Sequence, residues 1–410
     1  MNCMVAQSGG PTVAINASLA GVLEMNRKTN HFSIVYGAIN GIIGVLEERF
    51  LNLSEKMEND ASFTKRLIHS PAMYLGSCRY KLPKGDEGQE KYQEIFKVFE
   101  KLEINTFFYI GGNDSMDTVD KLSQYAKAHA LPVKIIGIPK TIDNDLVKID
   151  HTPGFGSAAK YVAASVREVA MDAYIYAVKS VTIVEIMGRD AGWLTAASAL
   201  ARTKHSPAPD LIYLPEVPFD LDKCIQDTRS LLEEKNTVVI AMSEGIRDKN
   251  GNYISTADSA SDIFGHNHLS GAGKTLEGLL KNALQVKVRS IEINVLQRAA
   301  AHMASETDLM ESELLGENAF SLAMEGKTGL MSILTRESSN PYKVAYSSWP
   351  VSEIANQVKS VPREWINEDG NDVTKDMVDY LNPLIQGEPD VPYVDGLPDY
   401  LPVEHLYPNR

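Results

Sequence analysis

Between Lys134 and Asp145 the chain reads Lys-Ile-Ile-Gly-Ile-Pro-Lys-Thr-Ile-Asp-Asn-Asp, an apolar run that breaks into a cluster of polar groups. A cation (Lys140), a hydroxyl (Thr141) and two carboxylates two residues apart (Asp143 and Asp145) share one short segment. Such a set suits group transfer to an alcohol, in which a carboxylate takes the hydroxyl proton while a lysine neutralises phosphate charge. Taken alone, the same residues also read as an Asp/Asn turn closing on its own backbone. On these residues alone the turn reading is favoured, and it is the rest of the chain that favours a site. Val133 to Ile138 reads as a strand buried on both faces, and Pro139 lacks the N–H needed to continue its ladder. The polar cluster therefore falls just beyond the C-terminal end of a strand, where open α/β sheets hold their ligands.

The same arrangement recurs along the chain. Asn2 to Gln7 is an apolar strand followed by Gly9-Gly10-Pro11-Thr12 and an amphipathic helix through about Asn26, with Pro11 suited to a helix entrance. A glycine turn before a helix lets backbone N–H groups approach a phosphate, although a glycine pair alone is more often a plain turn. Asn105 to Ile110 is an aromatic strand that stops at Gly111-Gly112-Asn113-Asp114-Ser115, whose polar residues also serve as ordinary helix caps. Ser180 to Ile186 ends in Met187-Gly188-Arg189, and Thr237 to Met242 ends in Ser243-Glu244-Gly245.

Phe32 to Tyr36 and Leu211 to Leu214 complete the set of short strands, and Gln285 to Leu296 alternates like a strand before Gln297-Arg298. Helices are predicted over Ile42 to about Lys56 (ending in a loop), Glu90 to Leu102, the stretch after Ser115 to about His129, Gly156 to about Ala173, Ala191 to Thr203 and Leu221 to Glu234. Leu75 to Lys81 is too interrupted by glycine and serine to assign, and its Arg79 and Lys81 read as either solvated cations or an anion clamp. From Leu330 come two alternating strands and a Pro-rich tail, and His266 and His268 read as polar residues of a loop over Asp262 to Gly273. Strands that alternate with helices imply an α/β fold, doubly wound, with mostly parallel sheets and right-handed crossovers.

The totals exclude several functions. With 410 residues, 44% of them hydrophobic, the chain is long enough for two domains or one large α/β unit. A formal charge of −14, from 54 acidic and 40 basic residues, argues against a nucleic-acid or anionic-membrane surface. No apolar run approaches the roughly 18 residues of a membrane span, and Met-Asn-Cys-Met-Val enters a strand with no signal peptide, so a cytoplasmic protein is expected. Cys3, Cys78 and Cys224 are far apart and in no metal-ligand spacing, which suits reduced thiols.

Gly9-Gly10, Gly111 to Ser115, Pro139 to Asp145, Met187 to Arg189, Ser243 to Gly245 and Gln297-Arg298 occur in the order found in phosphofructokinases. On these motifs residues 1 to about 345 resemble that family, and more closely its pyrophosphate-dependent branch. The resemblance implies two Rossmann-like lobes with the active site between them. It implies a donor lobe over 1–150 with part of the C-terminal region, a sugar-phosphate lobe over 151–330, and strands and tail from 331–410 packing back on the core. The implied reaction is magnesium-assisted, reversible phosphoryl transfer to the 1-hydroxyl of fructose 6-phosphate. Asp143 matches the family's general base, Thr141 contacts the transferred phosphoryl, and Asp145 lies near the sugar or metal. Met187, Gly188, Arg189 and Glu244 match the sugar-binding segments, and Arg298 a cation for the 6-phosphate. Gly10 and Arg79 match the donor site, which Ser115 adjoins.

Donor choice rests on Asp114 and Lys140, which replace glycines of ATP-dependent members. Asp114 adds bulk and negative charge where the α-phosphate of ATP would pass, while Lys140 sets a cation on the smaller pyrophosphate. Asn113 stands where many members have a magnesium-associated aspartate, and is the candidate metal residue although an amide oxygen is the weaker ligand. The resemblance also implies a homodimer or homotetramer with shared sites, Arg289 reaching a neighbouring subunit's sugar site with Lys179 beside it in place of an arginine at Ser180. Val295 replaces a histidine of many relatives. The competing readings are an ATP-dependent phosphofructokinase and a silent subunit that only binds sugar phosphate. Retention of Asp143, Thr141, Asp145 and Arg189 argues against the latter.

Overall fold

A computed structural model describes residues 1–83, 85–254 and 271–407. The loop expected over Asp262 to Gly273, with His266 and His268, lies almost wholly outside the described residues, and a helix begins at Ala272. The strands are β1 (Asn2–Gln7), β2 (Val35–Ala38), β3 (Phe50–Asn52), β4 (Ile104–Gly111), β5 (Lys134–Pro139), β6 (Ser180–Ile186), β7 (Leu211–Tyr213), β8 (Thr237–Ser243), β9 (Lys287–Glu292), β10 (Leu330–Ser339) and β11 (Tyr342–Pro350), besides a small hairpin of Tyr393–Val394 with Leu397–Pro398.

Two sheets carry these strands. The first has the order β11-β10-β5-β4-β1-β2-β3, parallel except at its two edges, where β11 and β3 run antiparallel to their neighbours. The second, β7-β8-β6-β9, is wholly parallel. Period-2 alternation divides each between two cores. Met4, Ala6, Phe107 and Tyr109 enter one cluster while Cys3, Val5, Phe108 and Ile110 enter the other. In the second sheet Val184 and Ile186 face one cluster, and Val181 and Ile183 the opposite one. Both faces being covered, the strands read as continuous apolar runs.

The helix Glu306–Met324, which the sequence pattern did not reveal, fixes the first lobe's outer layer. It buries residues around more than one side, including Leu309, Leu315, Phe320 and Ala323, so it lacks a clean amphipathic stripe. It packs backbone to backbone on Ile15–Thr29: a Cβ on Gly21 would stand 2.0 Å from the Glu313 carbonyl oxygen, and one on Gly316 would stand 2.1 Å from that of Ser18. This helix thus packs on the lobe of the first sheet, although it falls within the 151–330 segment. Conversely Val361, Ile366, Met377, Tyr380 and Leu384 fill the core of the second lobe.

Boundaries differ locally. The second strand starts at Val35 rather than Phe32, and the expected helix Ile42 to Lys56 is two short helices, Gly41–Leu46 and Leu53–Asn59, around β3. Ala191 to Thr203 shortens to Trp193–Ala197 followed by a 3₁₀ turn, and β9 ends at Glu292 before Asn294 turns left-handed with φ 49°.

Beneath the first sheet's C-terminal edge lies a buried ionic chain. His151 Nδ1 stands 2.8 Å from Asp150 and Nε2 2.6 Å from Glu311, which also accepts from Tyr342 at 2.7 Å. Arg336 donates to Asp150 at 3.0 and 3.2 Å and to the Tyr380 carbonyl. Burial alone would lower the His151 pKa, but the two carboxylates outweigh it and raise it to about 9. An imidazolium raised in the fold stabilises most below its unfolded value of about 6.5, and the gain disappears as pH climbs through about 9. The melting-temperature advantage of wild type over His151→Gln should therefore be largest near pH 6 and shrink by pH 9.5; a gap that widens with pH would contradict the charged-histidine assignment.

Candidate active site

The C-terminal ends of β1, β4 and β5 lie side by side because these strands are parallel neighbours. Gly9, at φ +81°, and Gly10 turn the chain out of β1, and Ser77 donates to the Gly9 carbonyl at 2.7 Å. Lys140 leaves β5 with its N–H on the Gly111 carbonyl, and its ammonium donates to the Gly10 carbonyl at 2.6 Å. The glycines leave room for close approach: a Cβ on Gly9 would stand 3.1 Å from Lys140 Nζ, and one on Gly10 3.1 Å from an Arg298 terminal nitrogen. Lys140 is 2% exposed, and burial lowers its pKa to about 8, with Asp143 opposing and Arg298 adding to the shift.

The loop from Thr141 to Gly154 carries the carboxylates. Thr141 accepts from the Asp143 N–H at 3.1 Å, and Thr152 donates its hydroxyl to the Thr141 carbonyl at 2.7 Å. Asn144, left-handed at φ 52°, points inward, where its amide accepts from the Thr152 N–H and donates to Tyr380. The turn-closing role is therefore Asn144's, and Asp143 faces the cleft. Among the described residues none donates a hydrogen bond to the Asp143 carboxylate. Burial raises its pKa, while the charges of Lys140, Arg189 and Arg298 hold it down. Burial, with Asp143 adding, pushes Asp145 up to about 7.

The opposite wall comes from the second sheet. After β6, the Met187 N–H donates to Gln297 at 3.3 Å and the Gly188 N–H to Glu244 at 3.4 Å, while Ser243 donates to the Gly188 carbonyl. Burial raises Glu244 to about 7 against the Gly188 bond. The Nε atoms of Arg189 and Arg298 are enclosed without a hydrogen-bond partner, and Arg79 lies near enough to depress the Arg298 pKa further after burial. Lys140, Arg189 and Arg298 thus act on one carboxylate, with Arg79 beside Arg298, an arrangement suited to polyanionic substrates and proton removal between them.

At the rim Asp114 is exposed in the first turn of Asn113–Ala128, 3.7 Å from Lys81, and Ser115 bonds Ser8 at 2.5 Å, tying the ends of β4 and β1 together. Asn113 behaves differently from a metal ligand. Its amide donates to the Gln357 carbonyl at 2.5 Å and accepts from the Asn356 N–H at 2.7 Å, so both ends grip the 356–357 turn. Lys179 and Arg289 are not brought into this cluster. Lys179 precedes β6, at the end opposite Met187, and Arg289 pairs across from Thr182 while bound to Thr182 and, at 2.5 Å, to Asp172. At about 3.3 Å per residue, either is more than roughly 15 Å from Met187.

Residues 2–323 match the family described as phosphofructokinase. The chain belongs to the phosphofructokinase family. It is 40% identical over 401 residues to the pyrophosphate–fructose 6-phosphate 1-phosphotransferase of Halomonas elongata, covering 97% of this chain and 94% of that protein. The enzyme of the same name from Xanthomonas campestris is 40% identical, covering 99% and 96%. The crystal structure of a pyrophosphate-dependent phosphofructokinase from Marinobacter aquaeolei superposes with a TM-score of 0.87 at 38% identity, covering 97% of this chain and 95% of that one.

Sequence reasoning missed Asn144 and Tyr380, which meet across the loop. Asn144 had a signal, since it shares the alternation of the apolar Ile142 and Leu146 and not that of the candidate residues. Tyr380 had none. Removing the Asn113 amide should cost roughly 1–3 kcal/mol for two bonds of about 0.5–1.5 kcal/mol each. Asn113→Ala is therefore expected to melt earlier and keep its apparent magnesium affinity within about twofold; a large loss of magnesium affinity with unchanged melting would restore the ligand role.

Proposed function

We propose that this phosphofructokinase transfers phosphoryl from pyrophosphate to the 1-hydroxyl of fructose 6-phosphate, giving fructose 1,6-bisphosphate and phosphate reversibly. The observation that carries this reading is the Lys140 ammonium under the Gly10 carbonyl, among cations that converge on Asp143. Asp143 accepts the hydroxyl proton as the sugar oxygen attacks, and Lys140 balances charge on the transferred group, with Thr141 contacting it. Arg189, Met187, Gly188 and Glu244 orient the sugar, and Arg298 takes the 6-phosphate. Gly10, Arg79 and Ser115 line the donor side. Loose phosphoryl-transfer transition states need in-line positioning and charge neutralisation more than covalent chemistry, which this set supplies. Asp114 at the rim leaves room for pyrophosphate and opposes a longer polyphosphate.

Magnesium fits as a substrate-borne cation. Among the described residues no group of three or more His, Cys, Asp or Glu is arranged to hold a metal, and magnesium commonly takes one or two carboxylates with waters and substrate phosphate oxygens. Asp145 is the carboxylate beside the base that would serve, and the bound ion would neutralise pyrophosphate charge. The three free, buried cysteines suit a reducing compartment, and we assign the activity to the cytoplasm.

We further infer an assembly of at least two chains, in which Arg289 and Lys179 serve a neighbouring sugar site. β9 is an edge strand, and beside it Met171, Ile175, Tyr176 and Val178 are exposed, Ile175 by 72%.

In a coupled assay, pyrophosphate should support turnover and ATP should be a poor donor, and Asp143→Asn should retain its fold while kcat falls roughly 10²- to 10⁴-fold. Turnover with ATP alone, or near-normal kcat in Asp143→Asn, would refute the reading. Refolding Asp143→Asn together with Arg289→Ala should restore roughly a quarter of wild-type activity if sites are shared across a two-fold axis. Mixed dimers without recovery would refute sharing.

A further inference from the structure

The extended segment from Lys359 to Val361 touches both walls of the site. The Lys359 N–H donates to the Asp145 carbonyl at 2.7 Å. Its ammonium donates to Asn144 Oδ1 at 3.2 Å, to the Ile149 carbonyl at 3.2 Å and to the Asp150 carbonyl at 2.8 Å, which uses all three protons. On the other side the Lys359 carbonyl accepts the Trp193 indole N–H at 2.9 Å, and the ammonium stands 5.2 Å from that ring's centroid. Two residues on, the Val361 N–H donates to Glu216 Oε1 at 2.9 Å, the same oxygen that takes the Gly192 N–H at 2.8 Å.

One stretch of backbone is thus tied to the base loop through Asn144 and Asp145, and to the loop after β6 that presents Gly188 and Arg189. Tyr380 spans the same gap, its hydroxyl on Asn144 and the Asp150 carbonyl and its ring 5.5 Å from that of Trp193. An enclosed ammonium is costly to bury, and here burial lowers its pKa to about 8 against the attraction of Asp150 and Asp145. A neutral donor would brace the loop at lower cost. The three-way fan of donors, however, needs a tetrahedral ammonium, because Asn144 lies at one end and Ile149 and Asp150 at the other of a seven-residue stretch.

We infer that Lys359 is a positioning residue for phosphoryl transfer, setting Asp143 and Asp145 against the sugar-binding loop by gripping Asn144 and the 149–150 carbonyls from the far side. The inference rests on Asp143 acting as the base. Small displacements of a reacting group can cost about 10²-fold in rate without changing what binds. Lys359→Met and Lys359→Gln should therefore fold, bind both substrates with KM within about threefold of wild type, and lose roughly 10- to 100-fold in kcat per folded molecule. Trp193→Phe, which removes the indole N–H together with one ring of the bicycle, should show a smaller loss of the same kind. Adding Asn144→Ser to Lys359→Met should lower kcat by less than about threefold more, because both changes act on one loop.

Thermal melting, circular dichroism to count folded molecules, and the split between kcat and the two KM values decide the matter. Lys359 variants with kcat within about twofold of wild type per folded molecule would overturn the inference, as would losses that multiply with Asn144→Ser. Failure of both Lys359 variants to fold would also overturn it, in favour of a purely structural brace. Asp143→Asn, assayed beside them, keeps the two readings apart. If it is inactive while the Lys359 variants are normal, only the positioning role falls; if it is active, the base assignment falls.

Discussion

Charges can be gathered on the floor of a cleft only when each offsets the desolvation of the next. Lys140 and Asp143 meet that condition together. Burial pulls the lysine down to about 8 and pushes the aspartate up, and each holds the other nearer its charged form. Arg189 and Arg298 tip the balance toward positive, so a polyanion entering the cleft completes a pairing that the protein alone leaves open. The proposed affinity for phosphate esters and the proposed base role of Asp143 thus rest on one arrangement.

Much of the remaining architecture keeps that arrangement in place. Parallel strands bring glycine turns to one edge of each sheet, and the two edges face one another across the cleft. Gly9 and Gly10 let Lys140 and Arg298 approach the backbone closely, since a Cβ at either position would stand 3.1 Å from the end of one of these side chains. Beneath the loop, His151, Glu311, Asp150 and Arg336 form a second set of balanced charges that belongs to stability rather than to chemistry. The C-terminal segment joins both sets, since Lys359 and Tyr380 reach Asn144 from one side and the Asp150 carbonyl from the other.

Glu306–Met324 illustrates how a lobe is completed by distant sequence. Its close approach to Ile15–Thr29 depends on Gly21 and Gly316, each meeting the partner's backbone. Asp308 on the same helix accepts the N–H groups of Gly154 at 2.9 Å and Ser157 at 3.0 Å, anchoring the end of the Thr141–Gly154 loop to the start of Phe155–Tyr174. A helix that serves the outer layer of one lobe therefore also holds the end of the loop that carries Asp143.

The amino-acid sequence by itself determined the α/β class, the strand ends where polar residues collect, and the family, because apolar period and glycine turns are local properties that survive without coordinates. It also marked Lys140, Asp143, Arg189, Glu244 and Arg298, because they stand in the motifs that follow strands β5, β6, β8 and β9. Only the tertiary structure decided which of them meet. It separated Asn144 from its aspartate neighbours by turning it inward, and it gave the Asn113 amide to a turn more than two hundred residues away. It recruited Lys359 from a stretch with no motif. Those outcomes depend on long-range packing and on hydrogen-bond partners far apart in the chain, which neither residue type nor spacing encodes.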